Sequence, residues 1–205
     1  MFLDQILFII LKKGIFLKNK PVFYDSDCLV SFLVVDEHHI LCKMFSKIII
    51  PSPVHDEIFN KSTPTKIKDN LESLINDNFV EVKDINIFSN EYSNYKLIEK
   101  GFWTDNKYMG KGESSVIACA IENNGIIASN NLSDIEYLAK KHEIPILTSS
   151  LILGKAYENN LIDEEKANNI WQKMIDKNIS LPNVSFSNYY EFKYNNDWNK
   201  LFKSK

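Results

Sequence analysis

Short apolar runs recur along this chain of 205 residues, and segments with helical patterns separate them. The four clearest runs cover residues Val22–Tyr24, 47–51, 126–129 and 144–148. Strands that alternate with helices predict an α/β fold, in which a mainly parallel sheet is flanked by helices. In such sheets, functional side chains gather beyond the carboxyl ends of the strands, so the residues that follow each run are the first candidates for a site.

The helices are predicted from apolar spacing and from capping residues. Ser52 is a natural N-cap, and Pro53 is well suited to a first helical position. The segment 86–109 is polar with scattered aromatic residues, and we interpret it as a loop with a short helix. The predicted helices cover residues 28–35, 41–45, 54 onward, 63–79, 112–121, 132–142, 151–159 and 163–176, with a further candidate strand at 79–82.

The chain divides into an N-terminal extension at 1–20, a domain at 21–160, and a C-terminal helix and aromatic tail at 161–205 that pack on the domain. The apolar run 6–11 is too short for a membrane-spanning helix, and its flanking lysines follow it, whereas those of a signal peptide precede the apolar run. We expect a helical extension that packs on the domain or on a second subunit. Peripheral membrane attachment is the alternative, and no integral membrane association is expected.

Charge and cysteine content limit the partners and the compartment. The net charge is −3 and every basic residue is a lysine, so there is no overall basic field and no arginine to grip phosphate with two hydrogen bonds. A nucleic acid would therefore need a local lysine patch or a bound cation. The three cysteines are far apart without CxxC spacing, which favours a reduced, cytoplasmic setting.

Acidic and amide residues follow the predicted strands, at positions that converge on one edge of the sheet. The set is Asp25 and Asp27 after the first run, Glu57 after the second, Glu113 at the start of a later helix, and Asn130, Asn131 and Asp134 after the run at 126–129. Each residue alone also fits a helix cap, a first-turn acid or a turn. Clustered carboxylates repel each other unless a cation neutralises them, and oxygen-only ligands predict Mg²⁺ or Mn²⁺.

Four segments, in this order and spacing, resemble the motifs of the PIN-domain family. They are 22–29, where a strand ends in Asp25; 50–58, where Pro and Val precede Glu57; 112–120, a Gly-Glu variant of the third motif; and 126–134. The resemblance covers about residues 21–160. It implies a three-layer α/β/α domain and Mg²⁺- or Mn²⁺-dependent cleavage of RNA, with Asp25, Glu57 and Glu113 as the first three catalytic acids.

The fourth motif departs from the commonest family pattern, because Asn130 and Asn131 stand where many members have an aspartate. Some family members have an Asn in the fourth motif, and alignment with them makes Asn131 a neutral oxygen ligand or a residue that positions a water. Asp134, one helical turn further, then supplies the charge and is the fourth catalytic acid. The resemblance thus places the metal on Asp25, Glu113, Asp134 and Asn131. Three outcomes are open: Asp134 compensates, the site is attenuated, or metal binding is lost.

Three further side chains are expected to contact the metal-binding residues without binding the metal themselves: Asp27, Ser129 and Asn130. Asp27 either orients the cluster by hydrogen bonds or faces solvent, and Ser129 is either a supporting hydroxyl or an ordinary residue at a strand end.

A rim of basic and aromatic residues precedes the third motif. Lys107, Tyr108 and Lys111 are candidates for RNA binding, and Phe102 and Trp103 lie nearby in the sequence, although aromatic residues in a loop also fill minor cores. The C-terminal aromatic residues are Phe186, Tyr189, Tyr190, Phe192, Tyr194 and Trp198; they predict either a dimer or partner surface or packing over the sheet edge.

Three functions are compatible with these features. The first is an endoribonuclease, as the toxin of a toxin–antitoxin pair or a defence effector; the resemblance implies a homodimer and a small antitoxin protein as partner. The second is a binding module for nucleic acid or protein that has kept the fold with an attenuated site. The third is a phosphatase or DNA-processing hydrolase on a similar sheet, which no sequence feature favours.

Overall fold

A five-stranded parallel sheet forms the centre of the protein. The computed structural model describes residues 20–202. The strands are β1 (Val22–Tyr24), β2 (Ile48–Pro51), β3 (Val80–Lys83), β4 (Ile126–Ala128) and β5 (Ile146–Leu147), in the spatial order β3-β2-β1-β4-β5. All four neighbouring pairs are parallel. The predicted α/β class is confirmed.

Helices cover both faces of this sheet and confirm the three-layer α/β/α arrangement. They are α1 (Ser26–Val34), α2 (His39–Met44), α3 (Ser52–Ile58), α4 (Thr65–Asn76), α5 (Asn90–Glu99), α6 (Lys111–Glu122), α7 (Leu132–Lys141), α8 (Ser149–Glu158), α9 (Glu164–Asp176) and α10 (Phe186–Tyr189), followed by π and α turns over Tyr190–Tyr194, Asn195–Asp197 and Trp198–Phe202.

The strand order reverses between β1 and β4. From β1 the chain moves outward to β2 and then β3, whereas β4 starts on the other side of β1 and leads to β5. Parallel connections are right-handed, so the two directions of travel place their helices on opposite faces and open a crevice at the reversal point. The residues that follow β1 and β4 therefore meet at the place where sheets of this type bind ligands.

Several helices and strands begin or end a few residues from their predicted boundaries, and the helix after β2 begins at Ser52, which was predicted as its N-cap. Two segments differ for local reasons. The helix expected at 63–79 is shorter, because Asn78 adopts a left-handed backbone (φ 57°) and Phe79 N–H then bonds to Leu74 C=O, which ends α4 before β3. The segment 86–109 contains the regular ten-residue helix α5, whose N-cap Ser89 accepts a hydrogen bond from Tyr92 N–H.

The C-terminal aromatic residues mostly pack on the domain. Phe186, Tyr189 and Tyr194 are buried, and the turn Trp198–Phe202 lies against edge strand β5. Gly154 of α8 makes this approach possible, because a Cβ there would lie 2.4 Å from a ring carbon of Tyr194. Of the two alternatives for these residues, packing over the sheet edge applies to most of them, whereas Phe192 is exposed.

The expected N-terminal extension lies outside the described residues apart from Lys20. Between residues 20 and 202, no helix combines the length and apolar character needed to cross a membrane.

Candidate functional site

Asp25 lies at the reversal point, directly after β1. Its backbone N–H bonds to Ala128 C=O at 2.9 Å, which continues the pairing of β1 with β4. The side chain caps α1: Oδ1 accepts from Ser26 N–H at 2.8 Å, and Oδ2 accepts from Ser129 Oγ at 3.1 Å. The carboxylate is therefore held in place by groups from both central strands.

Burial makes the charge on Asp25 unfavourable. The residue is only 3% exposed, and burial, followed by the negative charges of Asp27 and Glu113, raises its pKa to about 8. The two hydrogen bonds oppose this shift without reversing it. A cation beside Asp25 would relieve the repulsion and the cost of burial.

Asp27, two residues further along α1, holds the turn that follows β4. Both of its carboxylate oxygens accept from Asn130 N–H, at 3.0 and 3.2 Å. Burial raises the pKa of Asp27, and hydrogen bonds from the turn partly offset this effect. The sequence left open whether Asp27 forms hydrogen bonds or faces solvent, and in the structure it forms hydrogen bonds.

Asn130 and Asn131 are adjacent, and their side chains form hydrogen bonds with different residues. Asn130 reaches the start of α8, where its Oδ1 accepts from Ser149 N–H at 2.8 Å and its Nδ2 donates to Ser149 Oγ at 3.0 Å. Asn131 Nδ2 donates to Glu113 and, at 2.8 Å, to Asp134 Oδ2. Asn130 therefore supports the turn, whereas Asn131 joins two carboxylates of the site.

Glu113 and Asp134 lie in the first turns of α6 and α7. Burial raises the pKa of Glu113, with contributions from the charges of Asp134 and Asp27. Asp134 differs, because the ammonium of Lys107 pairs with its Oδ1 and holds its pKa below the usual value. The structure thus brings four acids into one electrostatic cluster: Asp25, Asp27, Glu113 and Asp134. Among residues 20–202, the ion pair recorded within this cluster is that of Asp134 with Lys107.

Glu57, on α3, is directed at the start of α6. Its Oε1 accepts from Gly112 N–H at 2.9 Å, and its Oε2 accepts from Ser26 Oγ at 3.1 Å. A Cβ at Gly112 would lie 2.5 Å from Glu57 Oε2, so glycine is required for this approach. Glu57 thus stabilises the N-terminus of α6, the helix that presents Glu113.

The loop before α6 carries the predicted RNA-binding residues. Tyr108 is 79% exposed, Lys111 is exposed, and Lys107 is exposed although its ammonium pairs with Asp134. Trp103 is partly buried and stacks on His142 at 5.3 Å between ring centroids, so this aromatic residue anchors the loop to the end of α7.

The donor set of the cluster is suited to a hard divalent cation, since the side chains offer carboxylate and amide oxygens. The unfavourable buried charge of Asp25 points the same way. However, no three His, Cys, Asp or Glu side chains among residues 20–202 already stand in positions to hold one metal ion. The amide of Asn131 joins Glu113 to Asp134, and the ammonium of Lys107 pairs with Asp134, so a cation would have to displace both groups.

Two serines contribute to this arrangement without having been predicted as site residues. Ser26 links the first motif to Glu57, and Ser149 anchors Asn130. Ser26 had a sequence signal, since it is the small residue that follows the first aspartate. Ser149 had none, because its role depends on the position of β5 beside β4.

A comparison with protein families identifies the family of the chain. A family model described as a PIN domain matches residues 21–190, which is most of the chain and includes Asp25, Glu57, Glu113 and Asp134. A comparison with curated proteins gives no match. PIN domains are generally nucleases and typically use divalent metal ions. With its parallel sheet, its acids at the reversal point and this match, the chain belongs to the PIN-domain family.

Proposed function

We propose that this protein is an endoribonuclease that hydrolyses RNA phosphodiesters with the help of Mg²⁺ or Mn²⁺. The observation that carries the proposal is the environment of Asp25. This carboxylate is buried beside Asp27 and Glu113, its pKa is raised to about 8, and no lysine pairs with it among residues 20–202. Family membership supports nuclease activity in general.

Asp25, Glu113 and Asp134 would hold the cation. Asn131 would join them through its Oδ1 after its amide rotates, since its Nδ2 now faces the acids and its Oδ1 accepts from Ser133. When bound, the cation lowers the pKa of the attacking water and offsets the charge that develops on the phosphodiester.

The other residues of the site position these groups and the substrate. Glu57 fixes the start of α6 and thereby Glu113, while Asp27 fixes the turn that carries Asn131. Lys107 and Lys111 supply positive charge for phosphate, and the exposed ring of Tyr108 offers a surface for base stacking.

A second function, a binding module with an attenuated metal site, is favoured by one observation. Asn131 donates to both Glu113 and Asp134, so a neutral amide already links these acids without a metal ion. In this alternative the surface would bind nucleic acid or protein without cleavage.

The biological setting is also part of the proposal; it rests on the family resemblance, except that the cytoplasmic location rests on the spacing of the cysteines. It comprises a cytoplasmic toxin of a toxin–antitoxin pair or a defence effector, acting as a homodimer that a small antitoxin protein neutralises.

The test is cleavage of a panel of structured RNAs with and without Mg²⁺ or Mn²⁺. Asp25→Asn keeps the size of the side chain and should lower the rate by about 100-fold or more, a typical cost of losing one group that stabilises charge in a reaction. Asp69→Asn on the exposed side of α4 is the matched control and should cleave normally. Equal cleavage by the wild type and Asp25→Asn would exclude the nuclease proposal.

A thermal-shift measurement with Mn²⁺ distinguishes the two functions. The nuclease proposal requires Mn²⁺ to raise the melting temperature of the wild type and of Asp69→Asn, with little effect on Asp25→Asn. RNA binding without any Mn²⁺ shift and without cleavage would favour the binding module.

A further inference from the structure

A cleft of about 270 Å³ opens beside the acidic cluster, between the turn after β4 and the C-terminal tail. Its lining includes Asn130, Leu132 and Ser150 from the domain, and Leu181, Asp197 and Lys200 from the C-terminal segment. Asn130 is the direct neighbour of Asn131, so the cleft adjoins the candidate site. Its volume is at the lower end of small-molecule sites and suits one planar group rather than a long ligand.

Several residues in or next to the lining of the cleft are fixed by hydrogen bonds or by burial. Asn130 is fixed by its two hydrogen bonds to Ser149, and Ser150 Oγ lies 2.8 Å from Thr148 Oγ1. The tail is seated by buried Tyr194 and Leu201 on either side of Asp197. Asn130 and Ser150, and the backbone that carries Asp197, are therefore held in position before a ligand arrives.

Asp197 and Lys200 present opposite charges on the tail. They are three residues apart in a helical segment, so they lie on the same side of it. Asp197 interacts with the hydroxyl of Tyr189, and no lysine pairs with it among residues 20–202. Lys200 Nζ contacts Glu136 Oε1 at 3.0 Å and retains further N–H donors. The lining of the cleft thus combines a carboxylate acceptor and an ammonium donor with the apolar side chains of Leu132 and Leu181.

We propose that this cleft binds a guanine base. Guanine has two neighbouring donors, N1–H and the N2 amino group, that match the two oxygens of Asp197, and an adjacent acceptor, O6, that matches Lys200. Adenine would place its N1 acceptor against the carboxylate of Asp197, and neither cytosine nor uracil presents two adjacent donors. The flat faces of the base would lie between leucine side chains.

This inference rests on the proposed function for its substrate. If the chain cleaves RNA, the guanine would belong to a nucleotide next to the scissile phosphate, because the cleft adjoins the acids. Base specificity would then come from the C-terminal tail, which supplies no candidate metal ligand. Polar groups that pair with one base discriminate strongly against bases that leave them unpaired.

The first experiment measures binding of guanosine and adenosine monophosphates to the full chain by calorimetry in EDTA, so that the result does not depend on metal or cleavage. Guanosine monophosphate should bind about tenfold more tightly than adenosine monophosphate, the lower end of the discrimination given by a two-bond base contact. Asp197→Asn should remove this preference, and Lys200→Gln should reduce it.

Glu191→Gln is the matched control, since it removes one negative charge from an exposed position on the same tail and should leave the preference unchanged. Circular dichroism confirms that each variant is folded. Equal affinity for both nucleotides, binding of neither, or an unchanged preference in folded Asp197→Asn would overturn the proposal.

Mapping of RNA cleavage products with Mn²⁺ then separates this inference from the proposed function. Cleavage beside guanine in the wild type, with relaxed sequence preference in Asp197→Asn, would support both. Guanosine monophosphate binding with no RNA cleavage would support the cleft and contradict the nuclease. Cleavage with the same sequence preference in both proteins would support the nuclease and contradict the cleft.

Discussion

The ends of β1 and β4 are neighbours in the sheet, yet they balance charge in opposite ways. After β1, the carboxylate of Asp25 is buried and is stabilised only by hydrogen bonds, so its pKa is raised to about 8. After β4, neutral amides come first, and the acid that follows, Asp134, is partly exposed and pairs with Lys107. The β1 side thus carries an acid whose charge no lysine among residues 20–202 offsets, whereas the acid on the β4 side is paired with Lys107.

The largest expected effect is that of Asp25 on the pH dependence of the unfolding free energy. The pKa of Asp25 is raised in the folded state, so between pH 4 and 8 the folded protein binds more protons than the unfolded protein and stability falls as pH rises. Asp25→Asn lacks this loss. Between pH 5 and pH 8 the wild type should therefore lose about 4 kcal/mol of unfolding free energy that Asp25→Asn keeps, because these three pH units lie between the ordinary pKa of 3.8 and the raised pKa of about 8, at about 1.4 kcal/mol each.

Urea denaturation at pH 5 and pH 8 in EDTA measures this difference in unfolding free energy. Asp69→Asn should follow the wild type, and Mn²⁺ at pH 8 should stabilise the wild type but not Asp25→Asn. If the wild type and Asp25→Asn lose stability in parallel, the charge of Asp25 is not the source of the pH dependence.

The next effect separates the two amides after β4. Asn131→Asp adds a charged ligand between Glu113 and Asp134 and should strengthen Mn²⁺ binding by about tenfold, since affinity rises with the charge of the ligand set. Without metal it should be destabilised by about 1–3 kcal/mol, because two donated hydrogen bonds are replaced by repulsion. Calorimetric titration with Mn²⁺ and urea denaturation measure the two quantities.

Asn130→Asp is the matched control for that substitution. It loses the hydrogen bond to Ser149 Oγ and should cost about 1 kcal/mol of stability with no gain in Mn²⁺ affinity. A gain at position 130 equal to that at 131 would mean that the two amides do not have the separate roles described above.

The smallest expected effect concerns Lys107, whose ammonium pairs with Asp134. Lys107→Gln frees Asp134 from a competing charge and should strengthen Mn²⁺ binding by about threefold, the scale of an exposed ion pair. RNA binding should weaken, as it should in Lys111→Gln, because both lysines supply charge for phosphate. Calorimetry with Mn²⁺ alone tests the difference: Lys111→Gln should leave Mn²⁺ affinity unchanged, and an equal response of the two variants would show that Lys107 does not compete with the metal.

The sequence alone determined the α/β class and the places where acids follow strands. Apolar runs with polar ends can be recognised locally, and parallel strands bring their carboxyl ends to one edge, so Asp25 and Asp134 could be named without coordinates. Glu113 could be named because a helix that leads into a parallel strand begins at that same edge. Local capping signals likewise predicted the start of the helix at Asp163, whose side chain accepts from Lys166 N–H.

The tertiary structure decided which partner each side chain has. Asn130 and Asn131 are chemically identical neighbours. Only the pairing of β5 with β4, which brings the start of α8 close, directs one amide to Ser149 and leaves the other for Glu113 and Asp134. Pairing of Lys107 with Asp134 likewise depends on how the loop before α6 folds over α7. Contacts between residues distant in sequence depend on packing of the whole domain, and local patterns do not encode them.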